Sequence, residues 1–322
     1  MSFLAPSSAR SQRPLRLCVG IFVLLTTTAC FTQQAQSPPP KPAPPPLEFL
    51  GEWGTRGDGP GQLSVPSGIA VDSVGNVFIS DRSSKFIHKF NPDGHPLQSF
   101  QDPSIKDPLG IAIDHGDAIY VSDCKLNAIQ IFLFSADRFL TIRGAASHRL
   151  VCPAQVAVSV DGLIFAIDND GHRIQKFNAR GRWLKSWGKK GFAPGEIGRT
   201  TAVAVGADNL LYVLDGGNRR VQRFTLGGEF VSQWEIPLAA GADNPNWLTG
   251  LAVSREGVLV ANAREGTIHV WTLDGQRKFE SSVADRLDAE QLHTLHLALS
   301  PRGELLVLDV EGARVLRFRI NF

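Results

Sequence analysis

Few residues in this chain have the type and spacing that chemistry requires. His293 and His296 stand three apart, a separation that on a helix would aim two imidazoles at one metal ion. Here they flank the entrance to a strand-like run, where positions i and i+3 point to opposite faces. No His-x-His or Glu-x-x-His pair supports them, and Gly57-Asp58-Gly59 has too few oxygen ligands for calcium. A serine nucleophile elbow and a phosphate-cradling glycine loop are also missing. Single carboxylates at strand ends, Asp81, Asp123, Asp168, Asp215 and Asp309, each look catalytic alone. Their recurrence gives them a structural reading, as acceptors for backbone N–H groups in the turn that follows. Arg56-Gly57-Asp58 spells an adhesion tripeptide inside a glycine-rich turn and is read as coincidence.

The elements that must position these residues repeat. A small-apolar-Ala-apolar run occurs six times, with its alanine at Ala70, Ala112, Ala157, Ala204, Ala252 and Ala298. A second apolar run ends each time in Asp, or in Asn262 in the fifth copy. A third reads apolar-x-x-aromatic, from Ile87/Phe90 to Val315/Phe318. The fourth is aromatic, as in Trp183-Leu184-Lys185-Ser186-Trp187. Alternation of period two, with turn residues such as Asn91-Pro92-Asp93-Gly94 between runs, predicts strands. Four short strands per unit of roughly 45 residues predict an all-β, six-bladed β-propeller. Phe49–Trp53 has the fourth-strand pattern but precedes the first alanine strand, and the chain ends on a third strand. The N-terminal strand is therefore expected to complete the last blade and remove two sheet edges.

The segment Gly57-Asp58-Gly59-Pro60-Gly61-Gln62-Leu63, followed by Pro66 to Asp72 and Gly75 to Asp81, resembles the NHL repeat. So do Asn169-Asp170-Gly171-His172-Arg173-Ile174 and Gly217-Asn218-Arg219-Arg220-Val221. Blades one and four match best; blades five and six lack the Asn-His-Arg triplet. The resemblance covers residues 47 to 320 and implies a ligand face formed by loops into first strands and after second strands. Those loops offer Arg82, Lys125, Asp170, His172, Arg173, Asn218, Arg264 and Glu311, with Arg199, Asn246, Trp247 and His293. Gln155 and His296 replace the small residue at the mouth of the first strand in blades three and six. His172 and Arg173 also read as consensus residues that brace neighbouring loops. Enzymes of similar fold, the amidating lyases and lactonases, imply a metal cluster at the channel mouth that the sequence does not assemble.

The N-terminus reads as an export signal. Arg10, Arg13 and Arg16 precede the apolar run Leu17–Leu25, and Thr26 to Ala29 lead to Cys30. The segment resembles a bacterial lipobox, with Thr27 where Leu is usual, and implies lipidation at Cys30. Residues 1–29 are then the signal peptide, 30–46 a lipidated Cys and Pro-rich tether, and 47–322 the propeller. Phe31 after the cysteine resembles outer-membrane sorting, facing the periplasm where the host has two membranes. Export places Cys124 and Cys152 in an oxidising compartment, and the topology puts both on one face in adjacent blades, so a disulfide is expected.

A formal net charge of +2 argues against a global nucleic-acid-binding field, although blades three and four carry a basic flank from Arg173 to Lys190 that would suit an anionic polymer or headgroup. The expectation is a monomeric, membrane-tethered, non-catalytic scaffold without cofactor, metal or nucleic-acid partner. Its ligand would be a protein, peptide or glycan of the cell envelope. The alternative is a metal-dependent lyase or hydrolase.

Overall fold

The computed structural model describes residues 45–322, apart from 134, 169–171, 239–246 and 289–293. Its strands form six antiparallel sheets of four, in sequence order within each of the first five. Blade one runs Pro66–Val71, Val77–Asp81, Ile87–Phe90 and Pro96–Phe100. The first strands of all six blades pack side by side around an axis, the first against the sixth. In the last sheet Leu47–Trp53 lies beside Arg314–Ile320, with Leu47 opposite Ile320 and Trp53 opposite Val315. The ring closes as a six-bladed β-propeller.

Apolar residues line both faces of the second and third strands because each blade is sandwiched between two others. The six buried clusters accordingly lie between blades. One joins Phe78 and Ile87 of blade one to Ile119, Val121 and Phe132 of blade two. Another joins Ile69 and Phe90 to Leu306, Leu308 and Val315 across the closure.

Outer strands add a lock. Trp53, Trp187 and Trp234 each cover the turn between third and fourth strands of the next blade. The turn residues Gly94, Gly228 and Gly275 have φ of 87°, 86° and 91°, a region that favours glycine. A Cβ at any of them would meet the indole at 2.1, 2.7 or 2.6 Å.

The recurring strand-end carboxylates hold the loops of one face. Asp81 accepts from the Ser64 and Ser84 N–H groups at 2.7 and 2.9 Å. Asp123 accepts from Lys106 and Leu126 at 2.6 and 3.0 Å. Asn262 takes the same place in the fifth blade and accepts from Glu265 at 3.3 Å.

Candidate functional site: the channel mouth

The first strands start on the face that carries these loops, and their opening residues surround a recess of about 360 Å³. The small-residue slot of each strand faces the first strand of the next blade. A Cβ on Gly68 would lie 2.7 Å from the Leu109 carbonyl, and one on Gly250 would lie 2.7 Å from that of Leu295. The closest backbone approach thus falls two residues before the recurring alanine, which is buried in four of the six blades.

Gln155 and His296 occupy that slot in blades three and six, three blades apart and so on opposite sides of the axis. Both line the recess and the narrow channel of about 70 Å³ beneath it. Gln155 fits because Gly110 of blade two has no side chain: a Cβ there would lie 2.6 Å from its Oε1. Burial pushes the His296 imidazole down to about 4, with no carboxylate opposing it. The ring is therefore neutral at pH 7 and offers one donor and one acceptor.

Hydroxyls complete the lining, and sequence reading passed over them. Ser67 Oγ donates to the Pro108 carbonyl at 2.8 Å, and Thr249 Oγ1 to that of Leu295 at 2.8 Å. Thr201 and Thr294 also face the recess. The available signal was a hydroxyl residue just before the small residue of the strand, in blades one, four and five. With its proton directed at the Pro108 carbonyl, Ser67 can offer an oxygen lone pair to the cavity, whereas Thr249 Oγ1 both donates to the Leu295 carbonyl and accepts from the Leu295 N–H at 3.1 Å. Arg82 and Arg199 stand on its rim. Arg82 also clasps Asp107 of the next blade, with Nε–Oδ1 2.5 Å and Nη2–Oδ2 3.1 Å.

Other sequence candidates serve the scaffold. Arg173 Nε donates to the buried Asp168 carboxylate at 3.0 Å, and its Nη2 to the Arg149 carbonyl at 3.1 Å. Asn218 Nδ2 donates to Asp215 at 2.8 Å and to the Gly191 carbonyl at 2.9 Å. His172 takes a left-handed turn position with φ 46°. Glu311 receives the Thr294 hydroxyl at 3.1 Å. Lys125 is exposed on the same face. Trp247 is half-buried, with the Arg264 guanidinium 4.0 Å above its ring. Asp170, Asn246, His293 and Cys30 lie outside the described residues.

Cys124 and Cys152 meet on this face between blades two and three, with their Sγ atoms 1.95 Å apart. The Cys152 N–H donates to Asn127 Oδ1 at 2.7 Å, so the incoming loop is pinned beside the pair.

The opposite end of the channel opens into a wider cavity of about 1060 Å³, which sequence reading did not anticipate. Val158, Val205, Val253 and Leu299 form its inner wall; they are the last residues of their first strands. Among the described residues no three His, Cys, Asp or Glu side chains gather as metal ligands. The described side chains at the mouth, one imidazole, one amide and neutral hydroxyls, bring no carboxylate or thiolate and do not fit a resident divalent ion.

No family model and no curated protein matches the sequence. Solved structures do match its fold. A streptogramin B lyase superposes with a TM-score of 0.59 at 14% identity, over 80% of this chain and 94% of that one. A gluconolactonase from Xanthomonas campestris gives 0.62 at 16%, over 81% and 87%. A chain of the nidogen/laminin complex gives 0.57 at 16%, over 69% and 81%. At these identities the likeness is one of fold. The class this chain's own sheets define is the six-bladed β-propeller, and the proteins that resemble it in fold include two enzymes and a chain of a binding complex.

Proposed function

We propose that this chain is an exported, membrane-tethered propeller of NHL type that binds its ligand, without catalysis, at the channel mouth. The observation that carries the reading is the character of the lining: hydroxyls, one amide and a neutral imidazole, with arginines on the rim and no carboxylate among the described residues that line it. Such a surface supplies hydrogen bonds for recognition but neither a metal cage nor a paired acid and base.

The entry of the chain supports the tethered arrangement. The Pro45 and Pro46 carbonyls accept from Asn321, and Leu47 pairs with Ile320, both at the end opposite the recess. Export also suits the Cys124–Cys152 pair, which an oxidising compartment keeps closed.

Metal analysis of purified residues 47–322, wild type and His296→Ala, tests the reading. Neither form is expected to retain stoichiometric metal. One ion per chain, lost in His296→Ala, would replace this reading with that of a lyase or hydrolase. The neutral His296 ring at the mouth is the one observation that favours this second possibility.

A further inference from the structure

The loops of the recess face are divided by charge. Between Arg82 and Arg219 the described loop residues outside the strands carry nine Lys and Arg, joined by Arg149 at the end of a two-residue strand, all exposed, against three loop carboxylates, Asp102, Asp107 and Glu196. Asp107 and Glu196 are taken up locally, by Arg82 at 2.5 Å and Lys189 at 2.9 Å. Among the described residues, the remaining loops, from Trp247 round the closure to Val65, carry three cations, Arg56, Arg264 and Arg286. Five carboxylates stand against them: Asp58, Glu265, Asp285, Asp288 and Glu311. The net charge of +2 for the whole chain hides this asymmetry. A basic sector over blades two to four therefore runs up to the recess, and a neutral-to-acidic sector lies beyond it.

The two halves of the site ask for different chemistry from one ligand. The basic sector, with Lys106, Lys125, Arg149 and Lys190, wants anionic groups. The recess suits hydroxyl groups, which both donate and accept, because Ser67 Oγ can accept there and Gln155 and His296 each pair a donor with an acceptor. Resting on the reading of a non-catalytic mouth site, we infer that the ligand is an acidic carbohydrate. One end of a chain of carboxylate-bearing sugars enters the recess, and the chain leaves over blades two to four. An acidic peptide would satisfy the basic sector but has few hydroxyl donors for the recess. A neutral glucan would satisfy only the recess.

Calorimetric titration of residues 47–322 with three probes of equal length tests this: oligogalacturonate, a neutral malto-oligosaccharide and oligoglutamate. Oligogalacturonate is expected to bind best, losing about tenfold in affinity between 50 and 200 mM salt. Lys106→Glu/Lys125→Glu should weaken it about tenfold at unchanged melting temperature, since two exposed charges that steer and hold the ligand are reversed. Arg255→Glu/Arg302→Glu, at the opposite cavity, should leave it unchanged. Gln155→Ala should weaken oligogalacturonate and spare any residual oligoglutamate binding. Equal binding of oligoglutamate, or indifference to the Lys106/Lys125 reversal, would overturn the inference. Equal binding of the neutral oligosaccharide would also overturn it, while leaving the mouth site standing. Failure of all three probes together with a metal lost on His296→Ala would remove the underlying reading as well.

Discussion

His88 shows how a single residue in this fold can be chemically conspicuous and functionally silent. It is buried in the third strand of blade one, with Nδ1 2.8 Å from Ser99 Oγ and accepting from the Gly61 N–H at 3.3 Å. Burial pushes its pKa down to about 4, against a smaller opposing pull from Asp81. The folded protein thus binds fewer protons than the unfolded chain between about pH 6.5 and 4. Stability is full above that window and falls as pH drops through it, by on the order of 2–3 kcal/mol from this residue. Urea unfolding from pH 7 to 4.5 should show the loss. His88→Asn should make that pH dependence shallower by the His88 share, with buried His296 still contributing over the same window, even though it lowers stability at pH 7. Residue types alone could not separate such groups from ligands. Asn218 came forward as a ligand-face side chain, yet it is drawn down onto a strand-end aspartate, while Arg173 braces its neighbouring loop, the second of the two readings the repeat pattern offered. The recess hydroxyls hid for the opposite reason, since Thr and Ser near a strand end are ordinary strand residues.

Whole elements were far more legible, because each blade must bury two faces and so repeats its pattern six times. What the pattern could not convey is contact between blades, such as the tryptophans seated on turn glycines. Gly228→Ala would force a Cβ to 2.7 Å from the Trp187 ring at a φ of 86°. It should cost about 2 kcal/mol or more in chemical denaturation. Trp234→Ala, which uncovers Gly275 and leaves a void beside Tyr212 and Trp271, should cost about 3–5 kcal/mol. A disulfide between Cys124 and Cys152, which we propose, would span a sequence separation of 28 between blades two and three. With the pair oxidised, Cys124→Ser/Cys152→Ser should cost about 3 kcal/mol by the chain-entropy estimate. Equal stability with and without reductant would argue against an oxidised pair.

At the scale of the molecule, closure by Leu47–Trp53 was readable from a misplaced fourth-strand pattern, and the two channel ends were not. Their difference arises from side chains brought together from all six blades, which no local window contains. Removing residues 47–53 would leave Arg314–Ile320 as an open edge. The truncated protein should lose its single cooperative transition and elute as larger species in size-exclusion chromatography. Closure also fixes the polarity of the propeller, with chain entry at one end and the recess at the other. Hydrogen exchange on residues 47–322, with and without saturating oligogalacturonate, tests the central claim most directly. Slowed exchange is expected at the mouth, around Ser67, Gln155, Thr201, Thr249 and His296, and along the loops near Lys106 and Lys125. Protection confined to the opposite cavity, around Val158, Val205 and Leu299, would contradict it.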